Sequence, residues 1–271
     1  MADFDFARPE DFPALSVLWQ QSLGQTAEDA LFYLKNRYRP GELIVIRDRN
    51  GAPVSMMTLI PARLNDVPGS FLYAVGTRPD RQGEGLMHSL HQQALDYLES
   101  QGMRFVCLAP GSSALFASYA EMGYVTRFYR SERKYVNFSP CPFLDLEIPS
   151  EVEFTLMRAA YLQSTNYRLR LMCPEFLLQE LRHFGGDVVS YERGDRKNYV
   201  AYTLRGDLLH IRELSEPFSA DLGATLLAYT GCRQILVDSP RKSIPVGMYR
   251  PLGKDPFPRG FTGAMTLCLD Q

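Results

Sequence analysis

Apolar residues follow two different rhythms along the first half of the chain. Between residues 9 and 38 they recur every three or four positions, at Phe12, Leu15, Leu18 and Trp19 and then at Leu31, Phe32 and Leu34. That period predicts two amphipathic helices. Pro9 and Asp11 open the first; the second covers residues 27–38 and stops at Pro40-Gly41. A short strand over residues 4–8 precedes them. From Glu42 the rhythm changes: ELIVIRDRNGAPVSMMTLIPARL and SFLYAVGT read as three strands, with turns at Arg49-Asn50-Gly51 and Asn65-Asp66. The helical period returns at Leu86, where Leu86, Leu90, Ala94, Tyr97 and Leu98 share one face of a helix reaching Ser100. A strand RFVCLA, a helix over residues 113–122 ended by Gly123, and the strand-rich YVTRFYRSERKYVNF complete this half.

Pro140, Pro142 and Pro149 then fall within ten residues, a spacing that suits an extended connector. A boundary there divides the chain into a domain over residues 1–138, a linker over 139–150 and a second domain over 151–271. The second half echoes the first. A helix FLLQELRHF precedes strands DVVSYER, KNYVAYTLR and LLHIREL, then a helix ADLGATLLAYT, a strand QILVDS and a last strand AMTLCLD. An exposed edge on that last strand would permit homodimer pairing.

Composition narrows the function classes. A chain of 271 residues with 45% hydrophobic and 22% charged residues is globular and long enough for two domains. Its formal net charge of −2 offers no field for a nucleic-acid backbone. Neither a signal-like start nor an apolar run of about 18 residues occurs, so the expectation is a cytoplasmic protein without a membrane partner. Five dispersed cysteines without a CxxC fit reduced, buried thiols. His88 and His91 lie three apart on a helix without an acidic or thiol third ligand nearby. They read as solvent-facing, and no metal is expected.

The chemistry concentrates in VGTRPDRQGEGLM, residues 75–87, at a strand-to-helix junction. Spaced glycines let main-chain N–H groups approach an anion, and the first turn of a helix leaves such groups unpaired. The Walker pattern fails because the stretch has no lysine. The dinucleotide fingerprint fits Gly83 and Gly85 but meets His88 at its third position, and it belongs after the first strand of a βαβ unit. Q/R-x-x-G-x-G/A, opening the helix after a fourth strand, fits apart from methionine in its last place.

VGTRPDRQGEGLM followed by LAPGSSALFASYAEMGY resembles the GNAT acetyltransferase superfamily. Within it, the stretch is similar to the branch of enhanced-intracellular-survival type acetyltransferases, whose loop reads V-A-T-x-P-x-Y-R-G-K-G-x-M. Val75, Thr77, Pro79, Asp80, Gly83, Gly85 and Met87 fall in register; Arg81, Gln82 and Glu84 depart from it. The close resemblance covers residues 1–138. It implies an α/β (α+β) fold with a mixed, mostly antiparallel sheet flanked by helices, followed by a second, smaller GNAT-like α/β domain whose strand-to-helix junction, SEPFSADLG, lacks paired glycines.

The resemblance further implies acetyl-CoA as cosubstrate and an N-acetyltransferase acting on a small-molecule or peptide amine; the alternative is a non-catalytic acetyl-CoA-binding regulator. Val75, Gly76 and Thr77 would meet the pantetheine arm through their peptide groups. Gln82, Gly83, Glu84, Gly85, Leu86 and Met87 would face the pyrophosphate, with Arg78, Arg81 and Arg127 near the 3′-phosphate. Tyr119, four residues before Gly123, would be the general acid. Glu84 would weaken binding if its carboxylate turned inward. Residues Glu28, Asp29 and Asp66 lie in segments that could border the acceptor, and nothing in the sequence selects a base among them. The second half would form a wall or lid over the acceptor.

Overall fold

The computed structural model describes residues 4–139 and 141–265. In chain order its elements are β1 (Asp5–Phe6), α1 (Phe12–Leu23), α2 (Ala27–Arg37), β2 (Leu43–Arg47), β3 (Pro53–Leu64), β4 (Val67–Thr77), α3 (Leu86–Ser100), β5 (Phe105–Leu108) and α4 (Ser113–Glu121). They are followed by β6 (Val125–Tyr135), α5 (Glu151–Gln163), β7 (Leu169–Leu171), α6 (Pro174–His183), β8 (Gly186–Arg193), β9 (Arg196–Arg205), β10 (Leu208–Leu214), α7 (Ala220–Thr230) and β11 (Gln234–Pro251). Among the described residues, no helix is long and apolar enough to cross a membrane.

The chain forms two compact units. The first comprises the residues up to Thr126 with Arg170–Met172 and Gly247–Gly260. Its sheet runs β1-β2-β3-β4-β5 and ends on the last residues of β11. Along that order every pairing is antiparallel except β4 with β5. The turns fall at the Asn-Gly pair and at Asn65, which adopts φ 53. Helix α2 starts with a capping box, Thr26 accepting from the Asp29 N–H at 3.1 Å. One face of the sheet buries Ile44, Ile46, Val54, Leu59 and Leu72 against the α3 stripe Leu90, Ala94, Leu95 and Leu98. Burial of α2 falls on Ala30, Tyr33 and Leu34, while Leu31 and Phe32 are only half-buried. Tyr33 and Trp19 close on each other and on Tyr73 with ring centroids 5.1–5.5 Å apart.

The second unit comprises Arg127–Leu169, Cys173–Val246 and the residues from Phe261 on. β8, β9 and β10 make an antiparallel meander, and β10 pairs in parallel with β11 through Leu208–Ile211 and Gln234–Val237. Its core joins Val189, Val200, Leu209, Ile211, Leu222, Leu226 and Ile235. α5 adds Phe154 beside a buried ion pair, Arg158 donating to Glu213 at 2.7 Å. Of the cysteines described, Cys107, Cys173 and Cys232 are buried free thiols and Cys141 is half-buried. The expected strand AMTLCLD lies mostly outside the described residues.

Candidate active site

β4 is bent before it reaches the glycine turn. Thr58 pairs with Tyr73 and Met56 with Gly76, so Ala74 and Val75 together oppose the single residue Met57. This is a β-bulge, and Ala74 carries it at φ 51. A non-glycine residue in that region holds about 1–3 kcal/mol of strain, which the flanking register must hold in place. β5 pairs with β4 only at Ser70 and Phe71, whereas β4 continues to Thr77. Among the described residues, the β4 edge that faced β5 is therefore without a neighbouring strand from Leu72 onward. Edges of this kind accept an extended ligand through main-chain hydrogen bonds.

The end of β4 is fixed from both sides. The Ser55 hydroxyl donates to the Gly76 carbonyl at 3.2 Å and lies 2.9 Å from the Thr77 hydroxyl. Gln82 donates through Nε2 to the Thr77 carbonyl at 3.3 Å, so its side chain ties the loop back to the strand. Any side chain at Gly76 would strike Ser22 on α1, whose Oγ lies 2.3 Å from where a Cβ would stand.

Gly83 and Gly85 adopt φ 82 and 74, and Glu84 between them does not share that sign. Alternation of this kind turns successive N–H groups toward one concavity, an anion-binding nest. Gly85 is the N-cap of α3 and no side chain caps that helix, so the first-turn N–H groups of Leu86 and Met87 remain donors. A Cβ at either glycine would meet nothing within 4 Å. Their backbone angle requires glycine, and the space beside them stays open.

The loop's charges cancel locally. Arg81 donates to both Glu84 oxygens at 2.6 and 2.7 Å. Arg78 does the same to Asp80 at 2.6 and 3.0 Å. The Arg81 guanidinium holds the Glu84 carboxyl below its usual range, against a smaller opposing effect of desolvation. Neither arginine is therefore a free cation waiting for a phosphate, and Arg127 lies over the Phe261 ring at 5.7 Å in the second unit. What the loop offers an anion is main-chain N–H groups.

Tyr119 sits on α4, buried, with its ring edge-on to Tyr124 at 5.5 Å. Burial pushes its phenol up to about 12, so it stays protonated across the neutral range. Among the described residues its hydroxyl has no hydrogen-bond partner, whereas the Tyr124 hydroxyl meets His91 Nε2 at 2.8 Å. His91 is therefore a core residue and not a solvent-facing one. Burial lowers its pKa to about 4 and keeps the ring neutral. The carboxylates considered for the base fare no better than in the sequence. Asp29 is occupied in the α2 cap, and Asp66 lies at the β3–β4 turn, the opposite end of β4 from Thr77.

The family model of the acetyltransferase (GNAT) domain matches residues 3–126, the stretch that holds the bulge, the glycine turn and Tyr119. By that match, residues 3–126 are similar to the GNAT acetyltransferase domain. No curated protein sequence matches the chain. Solved structures share its fold at low identity. A GCN5-related N-acetyltransferase from Anabaena variabilis is 18% identical, with a TM-score of 0.73 over 92% of this chain and 73% of that one. Eis1 from Mycobacterium abscessus is 12% identical, with a TM-score of 0.67 over 93% and 74%. A GCN5-related N-acetyltransferase from Kribbella flavida is 14% identical, with a TM-score of 0.66 over 92% and 71%. These likenesses carry the fold, a mostly antiparallel sheet flanked by helices.

Proposed function

We propose that the protein is an acetyl-CoA-dependent N-acetyltransferase that modifies a primary amine of a small molecule or peptide. One observation carries this reading: among the described residues, an unpaired β4 edge leads toward an uncapped helix start with two left-handed glycines, and Val75 and Leu86 at these places pack against the same hydrophobic cluster as Tyr119, whose hydroxyl is unbonded. The coenzyme's thioester supplies an activated acetyl group and a thiolate leaving group. Peptide groups of Val75, Gly76 and Thr77 hold the pantetheine arm. The N–H groups of Gly83, Glu84, Gly85, Leu86 and Met87 surround the pyrophosphate, and Gln82, whose own N–H donates to the Pro79 carbonyl at 3.4 Å, borders it. Positive φ at Gly83 and Gly85, with open space beside both, fits a group that must lie close to the main chain.

Tyr119 is the donor to the departing sulfur. With its phenol near 12 and a thiol near ~8.5, full proton transfer is uphill by about 3.5 units, or roughly 5 kcal/mol. Its contribution is thus a hydrogen bond to developing negative charge, which needs no completed transfer. The amine must arrive neutral: an amine of pKa ~10.4 costs about 4.6 kcal/mol to deprotonate at pH 7.

Tyr119→Phe should lower kcat by roughly 10² to 10⁴ and leave acetyl-CoA affinity within a factor of about two. Thiol release from acetyl-CoA with a panel of amines, beside calorimetric titration of the coenzyme, measures both. Unchanged turnover removes Tyr119 from the mechanism. Coenzyme binding without thiol release, whatever the amine, favours a regulatory binder, because both readings use the same turn.

A further inference from the structure

The second unit holds a cavity of about 480 Å³ within its own fold, at the place where β10 and β11 part. The parallel pairing of these strands ends at Ile211 and Val237, and Val237 and the next residues, Arg212 and Asp238, line the cavity. Arg212 occupies a bulge of β10: Ile211 pairs with Tyr202 and Glu213 with Ala201, leaving Arg212 without an opposite residue. A bulge turns a side chain out of the strand's alternation. Here Arg212 lines the cavity while remaining only 8% exposed. Its Nε has no hydrogen-bond partner, and its nearest countercharge is Asp238 Oδ2 at 3.5 Å. Burial pulls its pKa below the ordinary value, as expected for a cation stripped of water with incomplete compensation.

The remaining walls are of two kinds. Tyr135, Tyr161 and Phe218 supply flat apolar surface. Arg133 and Arg168 lie over the rings of Tyr135 and Tyr161 at 5.2 and 4.7 Å, and neither has a carboxylate within ion-pair distance among the described residues. The wall carboxylates are already engaged. Arg158 and Tyr199 donate to Glu213, Tyr191 and Arg193 to Glu216, and His210 meets Asp238 at 2.9 Å. Glu132, His210 and Asp238 come within metal-binding reach of one another. Arg130, 2.9 Å from Glu132, and Arg212 beside Asp238 place guanidinium charge where it would repel a cation.

A coenzyme diphosphate has no seat here. The first turn of α7 carries its own carboxylate, Asp221, and a Cβ at Gly223 would stand 2.3 Å from the Phe138 ring. We infer that this cavity is a binding site for a small organic carboxylate with a flat apolar or aromatic body, its anion held by Arg212 and its body stacked among Tyr135, Tyr161 and Phe218. Desolvated guanidinium groups prefer a planar carboxylate that can take two parallel hydrogen bonds. Mostly apolar walls with a few fixed polar groups are the common form of a small-molecule site.

Calorimetric titration of the full chain with benzoate, phenylacetate and indole-3-acetate tests this, with phenylacetamide as the neutral counterpart and inorganic phosphate as a compact anion. At least one aromatic carboxylate should bind, and phenylacetamide and phosphate should each be weaker by about tenfold or more. Arg212→Met should lower the carboxylate's affinity by a similar factor. Because Arg212 is buried, Arg133→Gln at the rim provides a second variant, expected to weaken binding by about two- to fivefold with an unchanged Tm. Absence of binding by all three acids at millimolar concentration overturns the inference. So does equal binding of amide and acid, or full affinity in both variants. None of these readouts involves acetyl-CoA, so failure here leaves the first unit's proposed reaction standing.

Discussion

The first and second units share a construction and differ at one turn of helix. In each, an antiparallel meander ends in a bulged strand, a helix follows, and the next strand returns in parallel: β4–α3–β5 in one, β10–α7–β11 in the other. In each, the parallel pairing is brief and the strands part beyond it. At α3 the helix start is uncapped, flanked by two left-handed glycines and open space. At α7 the same position is filled from within the chain. Asp221 brings a carboxylate into the first turn, Arg193 binds it at 3.0 Å, and aromatic rings close over Gly223. A helix N-terminus favours negative charge wherever it comes from. The backbone plan therefore makes an anion site available twice, and the first-turn residues decide whether an exogenous anion can use it.

Giving α3 the carboxylate of α7 should produce the largest effect. Asp tolerates a left-handed backbone better than most residues, so Gly85→Asp places a fixed negative charge at the nest with modest strain. Acetyl-CoA affinity should fall by about 100-fold or more, while Gly85→Asn, nearly the same shape without charge, should fall by about tenfold. Equal losses in both would mean that shape and not charge governs the turn. In the second unit, Gly223→Ala should cost about 1–3 kcal/mol of stability by overpacking against Phe138, with coenzyme affinity untouched. Calorimetry and urea melts separate these outcomes.

The cores differ as well. The first unit buries a neutral pair, His91 with Tyr124, and the second an ion pair, Arg158 with Glu213. His91 has a folded-state pKa near 4 against about 6.5 when unfolded. A base whose pKa is depressed by folding is neutral in the native state, and acid favours the unfolded chain, which binds the proton more readily. The stability it confers is complete above about pH 6.5 and is lost as pH falls toward 4, by roughly 3 kcal/mol in all. Urea melts of wild type and His91→Gln at several pH values check this. The gap between them should narrow on acidification, and a constant gap would mean that His91 does not titrate in this window.

Much of this was legible in the sequence, and the failures have physical causes. The glycine turn announced itself because left-handed backbone at Gly83 and Gly85 requires that residue type. The β4 bulge did not, since Ala74 carries the positive φ that a glycine would have signalled. His91 read as a surface residue from its chemistry. Its spacing told otherwise, for His91, Ala94, Leu95 and Leu98 fall on one buried helical stripe. The start of α5 does have a local signal, for Ser150 and Glu153 spell a capping box, with Ser150 accepting from the Glu153 N–H at 3.2 Å. β11 extends well past QILVDS because it continues through Pro240 and Pro245, residues that normally argue against a strand interior. Arg212 and the second unit's cavity had no local signature at all. They arise where a bulge and a strand separation coincide, which only the register reveals.

The smallest expected effect sharpens the comparison at the level of one ion pair. In the glycine turn, Glu84 is held by Arg81, whereas in the second unit Asp221 is held by Arg193; both helix starts thus carry a carboxylate neutralised by an arginine. The difference lies in position. Asp221 is inside the first turn of α7, and its backbone neighbour Leu222 donates to it at 2.9 Å. Glu84 precedes the α3 N-cap and its carboxylate is solvent-exposed, facing Arg81 and not the first-turn N–H groups. If Glu84 only restrains Arg81, then Glu84→Gln should leave the fold intact and release that guanidinium toward the anion. Acetyl-CoA affinity should then rise by less than about tenfold, and the gain should shrink at high salt, because an exposed charge is screened. A drop in affinity would instead show that the Arg81–Glu84 pair shapes the nest, and that the turn depends on its side chains as well as its glycines.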